Sequence, residues 1–139
     1  MFNLRKTMTT MKNLFALIMI LLLASCATGT RFPVSGLVPA ADITALKKKD
    51  KHNNYTLNVT ARNLASVDRV DPAKKTYVVW VVTKNEGTKN IGQLSVRNAK
   101  TSSLKSLTAF DFTEVFITAE EQGDIVYPSG PEITRVFLK

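Results

Sequence analysis

The sequence predicts an all-β fold, an immunoglobulin-like antiparallel β-sandwich of about seven strands over residues 41–139. Three observations carry this. Residues 76–83 read Thr-Tyr-Val-Val-Trp-Val-Val-Thr, six apolar residues in a row between Lys74-Lys75 and Asn85-Glu86-Gly87. β-Branched and aromatic side chains suit a pleated surface, and a run apolar on both faces suits a central strand covered on each side. Residues 55–62 alternate instead: Tyr55, Leu57, Val59 and Ala61 fall on one face, and Thr56, Asn58, Thr60 and Arg62 on the other. That period of two marks a half-buried antiparallel strand. Turn signals then recur along the remaining chain with no sustained helical period between them, the spacing of a sandwich. A β-barrel would satisfy the same pattern.

Taken in order, the chain opens with a basic flank (Arg5, Lys6, Lys12) and an uninterrupted apolar run over residues 14–24. As a helix this run is roughly 16 Å long, about half of the ~30 Å hydrocarbon core of a bilayer. It is too short to span and suits the apolar region of a signal peptide. Leu23-Ala24-Ser25-Cys26 follows, and it resembles the bacterial lipobox. There the Cys thiol takes a diacylglycerol and the chain is cut just before it. Cys26 is the only cysteine, and it sits where that motif needs one. The expected organisation is a removed signal peptide over 1–25, a lipidated Cys26 with a tether to residue 40, and a sandwich beyond. Ala27 is not the Asp that retains lipoproteins at the inner membrane of enteric bacteria, and residues 27–29 lack an acidic export cluster. By resemblance to those sorting rules, the expected location is the periplasmic face of the outer membrane.

Residues 27–39 contain Gly29, Pro33, Gly36 and Pro39 and read as extended tether. A first strand is expected over 43–47, ending in Lys47-Lys48-Lys49-Asp50-Lys51, and His52-Asn53-Asn54 is turn chemistry. After the strand at 55–62, residues 65–75 read as a polar connection. The apolar strand turns at 85–90 into one further strand over 91–96. Strands at 104–112, 114–120 and 133–138 complete the count, with Pro128-Ser129-Gly130-Pro131 as loop.

Hydrophobic residues at 45% and charged residues at 22% rule out wholesale disorder. Beyond the signal segment there are 16 basic and 11 acidic side chains, a mild net charge of +5. Nucleic acid is a poor partner for such a secreted domain. One Cys excludes an internal disulfide, and one His without a second Cys excludes the usual zinc clusters.

Two stretches together resemble a known family. Tyr77-Val-Val-Trp80-Val-Val followed by Gly87-Thr-Lys-Asn-Ile-Gly92-Gln-Leu is similar to a strand pair of the extracytoplasmic domain of anti-sigma-K factors. Phe116-Ile-Thr-Ala-Glu120 with Pro128-Ser-Gly130-Pro131 is similar to that domain's closing stretch. The resemblance covers residues 76–135 and implies an envelope β-sandwich with Gly92 paired to the apolar strand. It departs from the family in having neither a sigma-binding domain nor a spanning helix. The chain also resembles small lipoproteins of the Bacteroidota that carry this sandwich alone.

Candidate sites are few. Lys47, Lys48, Lys49 and Lys51 form a run able to contact anionic headgroups or an anionic envelope polymer; the plainer reading is a solvated strand end whose charge discourages edge pairing. His52 is a lone turn histidine. Glu114 and Glu120 share a strand face about 20 Å apart, too far for paired acid–base chemistry. Glu120, Glu121 and Asp124 form an acidic group without a recognised calcium-loop spacing. Asn54 and Asn58 match a eukaryotic glycosylation pattern and read here as strand residues. No nucleophile motif accompanies the single His, which leaves a hydrolase without a triad. Trp80 could floor a ligand groove, but with Tyr77, Val79 and Val81 it reads as structural core. The sequence therefore points to a non-enzymatic module with no metal and no cofactor beyond acyl lipid on Cys26. Its expected partners are the membrane through that lipid and an envelope protein or anionic polymer; an accessory role beside an anti-sigma protein is the alternative.

Overall fold

The computed structural model describes residues 4–23, 29–98 and 100–139. Helix α1 (Leu4–Leu23) is followed by nine strands: β1 (Thr30–Arg31), β2 (Asp42–Lys49), β3 (Tyr55–Arg62), β4 (Thr76–Thr83), β5 (Thr88–Gln93), β6 (Ser95–Asn98), β7 (Thr101–Thr108), β8 (Phe112–Glu120) and β9 (Glu132–Phe137). They form two antiparallel sheets, in the order β1-β2-β3-β7-β6 and β5-β4-β8-β9. The fold is the expected all-β sandwich, and its two separately bonded sheets are not a closed barrel.

The two strands beyond the expected seven have local causes. The single strand expected over 91–96 is divided. Between β4 and β5 the register slips at Val79 and Trp80, so that Val79 faces Gly92 while Trp80 faces Asn90 and Ile91 is the extra residue of β5. Such a bulge bends its strand, and Gly92 holds φ +137°, a conformation open to glycine. Past it, Leu94 N–H donates to Tyr77 O, and the chain crosses into the other sheet as β6.

The other addition is β1, which corrects the reading of residues 30–40 as tether, while residues 26–28 lie outside the described residues. Thr30 and Arg31 pair with Ala45 and Thr44, and Phe32 N–H bonds Ile43 O. Phe32 and Val38 are sealed in the core, and Thr134 Oγ1 donates to Pro33 O across the sandwich. The folded unit begins by residue 30. The connection over 65–75 is likewise less polar in role than in composition. Val70 is buried, Ala65 and Val67 pack on the core, and Tyr77 Oη donates to Ala65 O at 2.7 Å.

The main core lies between the sheets. Tyr77, Val79 and Val81 of β4 meet Leu57, Val59 and Ala61 of β3, with Val115, Ile117 and Ala119 of β8 alongside. Burying such side chains contributes ~1.5–3 kcal/mol each. Trp80 is fully buried but lies elsewhere: with Val78 and Phe116 it forms a second, smaller cluster on the opposite face of β4. Its ring stacks on Phe116 at 6.1 Å. The strand is indeed apolar for two separate reasons.

Helix α1 exposes Met11, Leu14, Phe15 and Leu17. No helix among the described residues is long and apolar enough to cross a membrane. Ala24, Ser25 and Cys26 lie outside the described residues, and Leu23 closes α1.

Candidate functional site

Strand β2 continues through the lysine run, and strand alternation separates its members. Lys47 turns toward the interior. Its Nζ lies 2.6 Å from Asp111 Oδ1, donates to Phe112 O at 2.6 Å, and stands 4.5 Å from the Phe112 ring centroid. Lys84 closes the other side of Asp111 at 2.6 Å. Hydrogen bonds from Lys47 and then Lys84 pull the Asp111 carboxyl down to about 2. Lys47 is thus committed to tying β2 to Asp111 and Phe112 and leaves the proposed anionic-contact set. Lys48 sits on the outward face opposite Thr56, while Lys49 and Lys51 are exposed. Asp50 organises the hairpin by accepting from His52 N–H and Asn54 N–H, and Asn53 takes a left-handed φ of +62°. His52 is an exposed turn residue.

The acidic group at the other end also divides. Glu120 is 1% exposed. Its carboxylate accepts from Thr118 Oγ1 (2.7 Å), Ser129 N–H (3.0 Å), Ser129 Oγ (2.8 Å) and Gly130 N–H (2.8 Å). Burial alone pushes its pKa up; the hydrogen bonds together outweigh this and hold it below the usual glutamate range. Trp80 Nε1 donates to Thr118 Oγ1 at 2.8 Å, so the network begins at the buried indole. Gly130 has no alternative residue here, since a Cβ would lie 1.8 Å from Ala119 O.

This network fastens one end of the loop over residues 121–131. Asn90 fastens its middle by donating to Gly123 O and Ile125 O at 2.8 and 2.9 Å. Ile125 is thereby laid against the Trp80 cluster. Glu121 stays exposed and faces Lys74 and Lys75 at 3.6 and 3.7 Å. Glu114 pairs with Arg135, which also holds Glu132 and packs 4.1 Å from the Phe116 ring centroid. Hydrogen bonds to Glu132 and Glu114 outweigh burial and raise the Arg135 pKa, fixing its charge. Among the described residues, no three His, Cys, Asp or Glu side chains are placed to hold a metal ion.

Several concavities mark the surface of the described residues, and two of them adjoin the groups above. One of about 340 Å³ opens where the chain changes sheets, lined by Leu64, Ala65, Tyr77, Leu94 and Val96 with Lys75 and Lys100. Burial, aided by the charge of Asp68, pushes the Tyr77 phenol up to about 12, so it stays a neutral donor. The other, about 560 Å³, lies between residues 86–90 and 123–127 beside the exposed Val126 and Tyr127. Sequence reasoning missed the buried role of Glu120; the signal was a Glu followed nine residues on by Ser-Gly between two prolines. Comparison of the chain with protein-family models, curated proteins and solved structures finds no match.

Proposed function

We propose that this chain is a lipid-anchored protein of the bacterial envelope whose sandwich serves as a non-catalytic interaction or envelope-structural module. The observation that carries this is the order of features at its N-terminus. A basic flank and a short apolar segment end in Leu23-Ala24-Ser25 and the sole cysteine, Cys26, and the folded domain starts four residues later at β1. Several acyl chains, at ~0.8 kcal/mol per buried methylene, would hold such a domain firmly on a bilayer, the periplasmic face of the outer membrane in this reading. The engagement of Lys47, Asp111, Glu120 and Arg135 with internal partners supports a structural use of the buried polar groups. The partners are an envelope protein or an anionic envelope polymer.

The test is metabolic labelling with radioactive palmitate. The wild-type chain should incorporate label, and Cys26→Ser should lose it completely. Undiminished labelling of that variant would overturn the reading.

A regulatory accessory beside an extracytoplasmic anti-sigma protein is the second reading. Two contacts favour it: Val79 pairs with Gly92, and Glu120 binds Ser129 and Gly130. Each joins the two halves of a stretch that resembles the anti-sigma-K domain. Crosslinking and co-purification separate the readings, since an anti-sigma protein among the captured partners supports regulation and envelope scaffold proteins support the first.

A further inference from the structure

Resting on the lipid-anchor reading, we propose that the sandwich stands on the bilayer with one defined end down. In this pose the β2–β3 hairpin and its lysines Lys48, Lys49 and Lys51 contact the anionic phosphates of the same membrane that holds Cys26.

The direction of β1 supplies the first argument. It runs antiparallel to β2, with Thr30 opposite Ala45 and Arg31 opposite Thr44. The chain therefore enters β1 from the side on which β2 ends at Lys49. Gly29 already lies close under this edge, since a Cβ there would be 3.0 Å from Ala45 O. Three residues lie between Cys26 and Thr30, four steps of the chain and a reach of at most about 14 Å. Lys49 lies four residues beyond Ala45 along β2, about the same distance. A lipid on Cys26 must hold the bilayer within that reach of the β1–β2 edge.

Charge supplies the second argument. Contacts of Asp111 with Lys47 and Lys84 bring the last residues of strand β2 before the 50–54 hairpin, the 84–87 loop and the 109–111 loop to one end of the sandwich. Residues 47–54, 84–89, 109–111 and 137–139 carry seven lysines against three acidic side chains. The segments of the opposite end, 62–75, 97–100, 120–122 and 128–132, carry six basic and five acidic ones, and Asp124 lies in the stretch that returns beside residues 86–90. The excess positive charge of the domain is thus concentrated where the anchor enters. Lys47 and Lys84 neutralise Asp111, but Lys48, Lys49 and Lys51 have no acidic partner among the described residues. Lysines without an acidic partner, held within a Debye length of ~10 Å from an anionic surface, are attracted to it. This pose directs the cavity beside Tyr77 away from the membrane.

The experiment uses the full lipidated chain in vesicles of phosphatidylcholine alone or mixed with phosphatidylglycerol. Lipid blocks the Cys26 thiol, so His52→Cys and Lys100→Cys, in separate variants, each accept one spin label. Relaxation by a nickel-chelating headgroup lipid then reports the distance of each label from the surface. In anionic vesicles the label at 52 should relax about twofold or more faster than that at 100, and high salt or the K48E/K49E/K51E variant should abolish the difference. Equal relaxation at the two positions, or a contrast indifferent to lipid charge, salt and charge reversal, overturns the orientation. Flotation with neutral vesicles isolates the anchor: a chain that fails to float overturns the lipid-anchor reading and this inference with it. A chain that floats without contrast overturns the orientation alone.

Discussion

Glu120 occupies a site where a bare charge would be costly. An uncompensated buried carboxylate loses several kcal/mol of solvation, and here four donors replace the lost water. Glu120→Ala leaves the backbone N–H groups of Ser129 and Gly130 without their acceptor. At ~1–3 kcal/mol for each unsatisfied buried donor, the expected loss is about 2–5 kcal/mol, measured as a lower urea midpoint. An unchanged midpoint would show that the network has no structural weight. Acid adds a second readout. Carboxyls whose pKa is depressed on folding contribute stability above their unfolded values, about 3.9 for Asp and 4.3 for Glu, and lose it as pH falls through the folded values. Asp111, at about 2, and Glu120 both belong to this class. Stability should therefore hold at neutral pH and decline from about pH 4 toward pH 2. Asp111→Asn should start lower at neutral pH and decline less steeply. Neither carboxylate was legible as a structural group from sequence, because Asp111 meets a lysine 64 residues away and Glu120 meets a loop that local composition marks as solvent-facing.

At the scale of elements, the strands with a clear period were readable and the irregular segments were not. Alternation in β3 and the apolar run of β4 are local properties, and each strand lies where its residues place it. Residues 30–40 have no period, yet they supply Phe32 and Val38 to the core. Pro33 and Gly36 made the segment look like linker. Proline and glycine mark irregular backbone, and irregular backbone can be buried when side chains and turns satisfy it, as Ser35 Oγ does for the N–H groups of Leu37 and Val38. Phe32→Ala should cost about 3–5 kcal/mol in a denaturant titration. A tether residue would give no change. The division of β5 from β6 had one visible signal, Gly92, whose conformation belongs to the bulge that redirects the chain and where an added Cβ would lie 3.0 Å from the Leu104 side chain.

Across the whole molecule, β4 ties two apolar clusters together. Its Val79 and Val81 lie between the sheets, and its Val78 and Trp80 lie under the loop held by Glu120 and Asn90. Neither cluster can open without exposing a face of the same strand. Unfolding followed by Trp80 fluorescence, which reports the smaller cluster, should coincide with unfolding followed by far-ultraviolet circular dichroism. Separate midpoints would mean that the loop and its cluster melt on their own. What the sequence determined by itself was the strand type of the regular segments, the central place of β4, and the short apolar segment that ends at the only cysteine. Those rest on residue chemistry and spacing along the chain. Only the tertiary structure decided which face of β4 is the inter-sheet core, that Lys47 turns inward while Lys48 turns outward, and that Glu120 is a buried clasp. The partners that settle these points lie on other strands, and burial, which sets the energy of each polar group, is a property of the assembled sheets.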